Sequence, residues 1–525
     1  MSELLFELPL RTAARAADAL ALVDKARSLS YGELAAAIEA AAAGFMELGL
    51  ERADRVGVYL PKQLEAVVAM FAASTAGGVF VPINAILKAP QVGYIMRDCS
   101  VRILVTSRAR LTELGEELRG CAGLRAIVLV DEVGEGAAAV VTIGWPALLA
   151  APRRAGHRVV DADMVSILYT SGSTGRPKGV VLSHRNMVTG AHSVASYLEN
   201  RADDRLLAVL PFSFDYGFSQ LSTAFSVGAS VVLLEYLLPR DVIRALERER
   251  ITGLAGVPPL WLQLAELAWP EAAVANLRYL TNSGGAMPRA TVAKLRELAS
   301  PARLFLMYGL TEAFRSTFLP PEQLDARPDS IGRAIPNAEV LVVRPDGSAC
   351  AAEEPGELVH RGSLVGLGYW NDAEKTAERF KVLPPRAAGL VLPEVAVFSG
   401  DTVRQDAEGY LYFIGRRDEM IKTSGYRVSP TEVEEAVYAT GMVVDAVATG
   451  VPHARLGQGI VVVASPVAGR APDSAALLVA RRAALPNYLV PAAIEWREEL
   501  PRNPNGKFDR PRLAQELKDR LAGVS

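Results

Sequence analysis

The densest group of side chains suited to binding a ligand lies near residue 170. It is the glycine- and hydroxyl-rich stretch Thr170-Ser171-Gly172-Ser173-Thr174-Gly175-Arg176-Pro177-Lys178. Mostly apolar residues 164–168 precede this stretch and residues 180–182 follow it, so it is predicted to join two buried strands. Its glycines permit close backbone approach, while hydroxyls, backbone N–H groups and two cations can bind phosphate oxygens. The stretch, called the phosphate loop below, therefore predicts a polyphosphate site.

Other interpretations of the phosphate loop have less support. It is not a P-loop, because Lys178 is followed by Gly179 and not by serine or threonine. It also lacks the G-x-G-x-x-G spacing of dinucleotide-binding folds. A plain surface turn rich in serine and glycine is common for short clusters. The number of phosphate-binding groups in one stretch favours a ligand site over such a turn.

A second group of functional residue types follows the predicted strand 304–307. It has the sequence Tyr308-Gly309-Leu310-Thr311-Glu312. An aromatic ring can stack on a base, a threonine hydroxyl can bind phosphate, and a carboxylate suits Mg²⁺ beside substrate phosphates. Taken alone, an aromatic residue and an acid after a strand are usually structural. This motif therefore indicates a functional site only together with the other motifs.

Charged residues later in the chain could complete a nucleotide site. Asp401 ends a predicted strand, where a carboxylate can accept both hydroxyls of a ribose. Arg416 and Asp418 follow the predicted strand 409–414. Lys507 lies in an Asn-Gly-Lys turn, where a lysine is nearly always just solvated. For each of these charges alone, a solvated turn is the default interpretation.

Taken together, the motifs resemble those of the adenylate-forming enzymes, which include acyl-CoA ligases, peptide-synthetase adenylation domains and luciferases. The resemblance covers nearly the whole chain and includes a late motif at residues 485–491. Wider stretches, including residues 308–317, most resemble one branch, the acyl-CoA ligases associated with the exosortase A system of bacteria. That branch is named from genome context, so it does little to fix a substrate.

The resemblance implies roles for individual residues in binding ATP and AMP. The nucleotide residues that it assigns are Thr170, Ser171, Gly172, Ser173, Thr174, Gly175, Lys178, Ser283, Gly284, Gly285, Tyr308, Gly309, Thr311, Asp401 and Arg416. Glu312 would hold Mg²⁺, and Lys507 would stabilise charge on the carboxylate and the α-phosphate. Lys507, Thr311, Glu312 and Arg416 are therefore the predicted catalytic residues.

The resemblance also implies two domains that serve two half-reactions. The AMP-binding adenylation domain would cover residues 1–417, and the mobile C-terminal domain residues 418–525. Asp418 would be the hinge, and the loop at Ser424, Gly425 and Tyr426 would enter the site for thioester formation. A carboxylic acid would first react with ATP to give an acyl-adenylate and pyrophosphate. The thiol of CoA, or of a phosphopantetheinyl carrier protein, would then displace AMP.

The predicted substrate pocket departs at one point from the common acyl-CoA ligase pattern. By resemblance, its residues are Phe214, Asp215, Tyr216, Ser219, Gly284 and Gly309. Phe214 stands where common ligases have histidine, and Asp215 follows, as in amino-acid adenylation domains. In those domains the aspartate pairs with the α-amino group of the substrate. A buried unpaired carboxylate is costly, so Asp215 either faces an ammonium, or is solvated or hydrogen-bonded within the protein. An acyl-CoA ligase and an amino-acid ligase that loads a carrier protein both stay open.

The order of the predicted elements indicates an α/β fold. Strand and helix patterns alternate through residues 55–82 and 205–307, as in parallel βαβ units. Short strands after residue 337 predict an antiparallel subdomain, and residues from 432 onward a small α+β unit. We therefore expect a large N-terminal domain with mainly parallel doubly wound sheets plus the antiparallel subdomain, and a small mobile α+β C-terminal domain.

Composition argues against several other classes of protein. Of the 525 residues, 50% are hydrophobic and 22% are charged, as in ordinary globular proteins. A net charge of −3 gives no basic footprint for nucleic acid. Three widely spaced cysteines, and the lack of a signal peptide or transmembrane run, favour a cytoplasmic location. The oligomeric state stays open, with a homodimer as one candidate. A non-catalytic nucleotide-binding protein is the rival of another class, but Lys507, Glu312 and the phosphate loop are all retained.

Overall fold

The protein was analysed as a computed structural model. It describes residues 4–131, 140–170, 177–285, 287, 289–383, 391–416, 421–428, 430–438, 440–453, 455–467, 472–478, 486–501 and 510–522. Some predicted site residues lie outside these ranges, namely Ser171, Gly172, Ser173, Thr174, Gly175, Asp418 and Lys507.

Three β-sheets form the framework of the described residues. In chain order the strands are β1 (Leu20–Asp24), β2 (Arg27–Ser30), β3 (Arg55–Tyr59), β4 (Val79–Pro82), β5 (Ile103–Thr106), β6 (Ala126–Leu129), β7 (Val141–Gly144), β8 (Met164–Thr170), β9 (Lys178–Ser183), β10 (Arg205–Ala208), β11 (Ser230–Leu233), β12 (Gly253–Gly256), β13 (Tyr279–Asn282), β14 (Arg303–Tyr308), β15 (Thr317–Leu319), β16 (Ser330–Ala334), β17 (Ala338–Val343), β18 (Gly356–Gly362), β19 (Gly368–Tyr369), β20 (Phe380–Leu383), β21 (Glu394–Gln405), β22 (Leu411–Arg416), β23 (Ile421–Thr423), β24 (Tyr426–Val428), β25 (Val443–His453), β26 (Gly457–Pro466) and β27 (Ala493–Trp496).

Helices pack on these sheets. They are α1 (Glu7–Arg15), α2 (Tyr31–Glu47), α3 (Leu64–Thr75), α4 (Ala89–Asp98), α5 (Arg108–Leu114), α6 (Trp145–Leu149), α7 (His184–Leu198), α8 (Asp215–Val227), α9 (Pro239–Arg248), α10 (Pro258–Ala265), α11 (Glu271–Val274), α12 (Arg289–Leu298), α13 (Ala373–Arg379), α14 (Pro430–Tyr438) and α15 (Arg510–Ala522). Serine N-caps begin α2 and α7, because the Ser30 and Ser183 hydroxyls accept the N–H groups of Glu33 and Asn186.

The largest sheet combines a parallel half and an antiparallel half. Its strand order is β17-β18-β21-β22-β16-β15-β14-β13-β12-β10-β11-β1-β2, with β20 paired to β21. The strands from β14 through β13, β12, β10 and β11 to β1 are parallel. From β14 outward through β15, β16 and β22 the pairing is antiparallel. The predicted antiparallel subdomain is therefore continuous with the parallel sheet.

The second sheet carries the two strands that flank the phosphate loop. Its order is β19-β9-β8-β4-β3-β5-β6-β7. Strands β4 and β8 are parallel, whereas β8 and β9 form an antiparallel pair in which Thr170 lies opposite Lys178. The predicted strand–loop–strand arrangement is thus a hairpin at the edge of a parallel sheet.

Helix α8 is packed between the two sheets, and this packing fixes the position of its N-terminus. Residues 215–225 of this helix are all buried. The Phe218 ring stacks on Phe80 of the second sheet at 5.1 Å between centroids, and the helix also contacts β10 and β11 of the first. Since a core helix packed on both sides has little freedom to shift, the side chains in its first turn are held firmly.

The C-terminal part of the chain forms a separate small sheet. Its order is β24-β23-β26-β25, with β27 parallel to β26, and α14 and α15 both pack on β25. It has its own apolar core, which includes Val433, Val437, Ile460, Val462 and Leu489. The architecture confirms the predicted fold class, whereas the predicted domain boundary at residue 418 falls outside the described residues and stays a prediction.

Candidate active site

Residues predicted to bind the nucleotide line one cavity. This space, called the main cavity, has a volume of about 150 Å³. Its walls include five of the predicted nucleotide residues, Thr170, Ser283, Gly284, Gly309 and Thr311. Ser283 follows β13, and Gly309 follows β14, the parallel strand beside it. The site therefore lies at the carboxyl ends of parallel strands, where ligands of such sheets bind.

Glu312 has one carboxylate oxygen that suits a cation. It lies in the 3₁₀ turn Thr311–Ala313, directly after β14. Its Oε1 accepts a hydrogen bond from the Tyr369 hydroxyl at 2.6 Å, whereas its buried Oε2 has no partner among the described residues. No cluster of three or more acids, histidines or cysteines within those residues could hold a metal ion by itself. Mg²⁺ typically takes one or two carboxylates together with substrate phosphates, so Glu312 fits a shared Mg²⁺ site.

Lys178 is brought to the same aromatic ring as Glu312. Its Nζ lies 5.5 Å from the centroid of the Tyr369 ring, whose hydroxyl bonds Glu312. Burial lowers the pKa of the Lys178 ammonium, because desolvation penalises the charged form. Lys178 and Glu312, the candidate metal-binding residue, thus share Tyr369 as a neighbour. Tyr369 has no place in the sequence motifs, and only its contacts mark it as part of the site.

Tyr308 and Asp401 are joined directly. The Tyr308 hydroxyl donates to Asp401 Oδ2 at 2.5 Å across 93 positions of sequence. Asp401 is buried in β21, and its backbone lies opposite that of Arg416 in β22. These three residues were predicted to contact the nucleotide, and the antiparallel half of the large sheet brings their backbones to one place.

Asp215 is neither solvated nor unpaired. It is buried in the first turn of α8, and its Oδ2 accepts a hydrogen bond from Arg315 Nη1 at 2.9 Å. The Thr311 hydroxyl donates to Oδ1 at 3.3 Å. Burial raises the pKa of the Asp215 carboxyl, and the Arg315 charge opposes that effect. The sequence left open whether Asp215 faces an ammonium, is solvated or is hydrogen-bonded within the protein. The structure shows the third arrangement.

The predicted pocket residues separate into two groups. Phe214, Asp215, Gly284 and Gly309 line the main cavity. Tyr216 and Ser219 instead border a second space of about 10 Å³, called the inner cavity, behind the wall formed by Arg315. The Tyr216 hydroxyl is 2.5 Å from Thr281 Oγ1, and Ser219 Oγ is 3.4 Å from Thr223 Oγ1. Their polar groups are thus turned to partners within the protein.

The loop predicted to serve thioester formation enters the site. Gly425 and Tyr426 line the main cavity, and with Ser424 they also line a neighbouring cavity of about 360 Å³, called the side cavity. Gly425 has φ +81, and a Cβ built there would lie 2.8 Å from Val257 Cγ2. The Tyr426 ring stacks on Tyr488 with 3.9 Å between centroids. The small domain therefore contributes one wall of the site.

Comparison with known proteins gives a consistent result over most of the chain. Residues 10–370 match the family model of the AMP-binding enzymes, and residues 432–507 match the C-terminal domain of AMP-binding enzymes. The chain belongs to the AMP-binding enzyme family. It is therefore a member of the adenylate-forming superfamily, as the motifs predicted. The similarity to the exosortase-associated branch stays a prediction.

Relatives within the AMP-binding enzyme family include large synthases and single ligases. The chain is 33% identical over 94% of its length to one component of the linear gramicidin synthase of Brevibacillus parabrevis, but spans 6% of that protein. It is 31% identical to the L-proline–[L-prolyl-carrier protein] ligase of Streptomyces coelicolor, with 94% and 93% of the two chains covered. It is 29% identical to the indoleacetate–CoA ligase of Aromatoleum aromaticum, with 92% of each chain covered.

A solved structure agrees with the observed fold. The o-succinylbenzoate CoA synthetase of Bacillus subtilis superposes with a TM-score of 0.83 at 23% identity, over 98% of this chain and 99% of that one. At this identity the likeness concerns the fold of the AMP-binding enzyme family. In the part of the chain that is described, none of the helices combines the length and apolarity needed to cross a membrane.

Proposed function

We propose that this chain is an ATP-dependent acid–thiol ligase that forms an acyl-adenylate and then a thioester. One observation carries the proposal. The main cavity is lined both by residues predicted for the nucleotide, such as Thr170, Ser283 and Thr311, and by Gly425 and Tyr426, predicted for the thiol step. A carboxylate activated beside the predicted nucleotide residues would lie within reach of a thiol that enters past Gly425 and Tyr426.

The first half-reaction needs positioning and charge neutralisation. A carboxylate oxygen attacks the α-phosphate of ATP, a P–O bond forms, and the bond to pyrophosphate breaks. The Thr311 hydroxyl would turn from Asp215 to donate to a phosphate oxygen. Glu312 Oε2, which has no partner in the described part of the chain, would take part in holding Mg²⁺. A Mg²⁺ ion held there would supply positive charge beside the phosphates. Asp401 and Arg416 hold the ribose and phosphate, and Lys507 stabilises the developing charge.

The second half-reaction uses the small domain in the orientation described here. The thiol attacks the acyl carbon, its proton is lost, and AMP leaves with the electron pair of the C–O bond. The side cavity runs from Gly425 past Tyr236 and Glu235. We propose that it admits a phosphopantetheine arm, the part that CoA and carrier proteins share. Asp418 is the proposed hinge between this orientation and the one that brings Lys507 to the site.

The relatives support both kinds of thiol acceptor. They include a CoA ligase and a carrier-protein ligase. The Asp215 charge is already paired with the Arg315 guanidinium in a buried ion pair, which argues against an ammonium at that position. We therefore favour a carboxylic acid without an α-amino group as substrate. Cys99 and Cys121 are buried free thiols, which fits a reducing compartment such as the cytoplasm, where ATP and CoA are available.

Acid-dependent pyrophosphate release tests the proposal. Purified protein is incubated with ATP, Mg²⁺ and a panel of fatty, aromatic, hydroxy and amino acids, with hydroxylamine to capture activated acyl groups. We expect pyrophosphate and a hydroxamate with at least one acid, and a thioester when CoA or a phosphopantetheinyl carrier replaces hydroxylamine. Phosphate release with ADP, or no acid-dependent turnover across the panel, would contradict the proposed function.

A further inference from the structure

Arg315 is a buried cation with unused hydrogen-bond donors in the wall of the main cavity. Its side chain is almost fully enclosed, with 2% of the residue exposed. Nη1 donates to Asp215, whereas Nε and Nη2 have no hydrogen-bond partner among the described residues. A guanidinium carries five N–H donors and no acceptor, so these N–H groups can only donate. Leaving buried donors unsatisfied is costly, which makes a hydrogen-bond acceptor in the cavity favourable.

The guanidinium is held in one place by three contacts. Its central carbon lies 4.6 Å from the centroid of the Tyr216 ring and 5.7 Å from that of Phe314, and Asp215 fixes Nη1. Arg315 borders the main cavity on one side and the inner cavity on the other. The inner cavity, at about 10 Å³, has space for at most one water molecule. A ligand group larger than a single water molecule must therefore approach from the main cavity.

The charges around Arg315 restrict the chemistry of that group. Asp215 already balances the Arg315 charge, so a carboxylate at the free donors would add a net negative charge to a buried site. An ammonium would face the N–H groups of a cation and could not accept from them. A hydrocarbon would leave the donors unpaired. A neutral oxygen, as in a hydroxyl or a ketone, accepts the hydrogen bond and leaves the charge balance intact.

We propose that Arg315 is a specificity-determining residue that selects acids carrying a neutral hydroxyl or carbonyl oxygen close to the reacting carboxylate. Thr311 and Arg315 hold the two oxygens of the single Asp215 carboxylate, so the donors lie near the predicted adenylation centre. The oxygen is therefore expected on one of the first few carbons of the acyl chain. This inference rests on the proposed function and adds the class of substrate to it.

A series of matched acids tests the inference and does not require the natural substrate. The series comprises hexanoate, its 2-, 3- and 4-hydroxy and 3-oxo derivatives, 2-aminohexanoate and adipate, each assayed for kcat/KM in pyrophosphate release. A site built to hydrogen-bond an oxygen rejects the analogue that lacks it, and we expect about 10²-fold preference for the best oxygenated acid over hexanoate. A hexanoate value equal to or above every oxygenated acid, or a preference for 2-aminohexanoate or adipate, would overturn the inference. The proposed function would survive those results, because pyrophosphate release would still depend on an acid.

Paired substitutions separate selection of substrate from support of the fold. Arg315→Ala alone would leave Asp215 buried without its partner, so the informative variant is the uncharged pair Asp215→Asn with Arg315→Gln. The measured quantity is the ratio of kcat/KM for the oxygenated acid to that for hexanoate. A purely structural role lowers both values alike and leaves the ratio unchanged, which would overturn the inference. We expect the ratio to fall at least tenfold. Arg315→Lys keeps the charge but loses the planar set of guanidinium N–H donors. It is expected to lower the kcat/KM ratio too.

Discussion

Substitution of Gly425 separates the two half-reactions. Gly425 lies in the small-domain loop that lines both the main cavity and the side cavity. Gly425→Ala carries two penalties. One is a backbone penalty, because φ is +81, and the other is steric, because a Cβ at this position would lie 2.8 Å from Val257 Cγ2. The backbone penalty, about 1–2 kcal/mol, applies in every orientation of the small domain. The steric penalty applies only when the loop packs against Val257.

The size of the effect follows from that difference. Placing a methyl group in a filled contact typically costs about 1–3 kcal/mol. Because each 1.4 kcal/mol corresponds to about a factor of ten, Gly425→Ala should lower the rate of thioester formation by about 10-fold to 10²-fold. Formation of the acyl-adenylate should change little, since it does not require this packed orientation.

The assay follows each half-reaction by itself. Acyl-adenylate formation is measured as hydroxamate capture without thiol, and thioester formation is measured from supplied acyl-adenylate and CoA. Gly441→Ala is the matched control, because Gly441 also has positive φ, at +64, but a Cβ there meets no described residue beyond its chain neighbours within 4 Å. Adding Val257→Ala to the Gly425 variant should restore part of the lost rate. Equal loss in both half-reactions, or no loss in thioester formation, would refute the two-orientation account.

Three further predictions concern the metal, the lysine of the Asn-Gly-Lys motif and a buried histidine. Glu312→Gln keeps an oxygen for the Tyr369 hydroxyl but loses the charge, so the Mg²⁺ concentration needed for half-maximal pyrophosphate release should rise tenfold or more; an unchanged titration would exclude the metal role. Lys507→Ala should reduce acyl-adenylate formation by about 10²-fold and spare thioester formation from supplied acyl-adenylate; equal losses would contradict its assigned step. Burial lowers the pKa of His184 from 6.5 to about 4, so its contribution to stability is complete above pH 6.5 and is lost as the pH falls toward 4. That loss amounts to about 3 kcal/mol, and a His184→Gln variant should show a smaller drop in urea midpoint between pH 7.5 and pH 4.5; equal drops would contradict the assignment.

Local patterns predicted much of the framework. The apolar runs around the phosphate loop are the paired strands β8 and β9. Elements with weaker patterns were missed. The short strand β2 has exposed polar positions, and β7 carries an exposed valine, so neither gives the alternation or apolar run of a typical strand.

The contacts within the site depend on residues that are distant in sequence. Arg315 lies 100 positions from Asp215, and only the tertiary fold, which brings the first turn of α8 beside the residues after β14, makes them partners. The burial of a carboxylate beside Phe214 implied that some partner exists, but its identity required the fold. The stack of Tyr426 on Tyr488 is likewise a tertiary contact, since no local pattern connects these two rings.

An isotope-transfer experiment tests the central claim, the formation of an acyl-adenylate, most directly. The protein is given ATP, Mg²⁺, CoA and an accepted acid whose carboxylate oxygens are both ¹⁸O, and the products are resolved by mass spectrometry. Attack of the carboxylate on the α-phosphate predicts AMP that carries one ¹⁸O atom, together with unlabelled pyrophosphate and an acyl thioester. Unlabelled AMP, or ¹⁸O in inorganic phosphate alongside ADP, would contradict the proposed reaction.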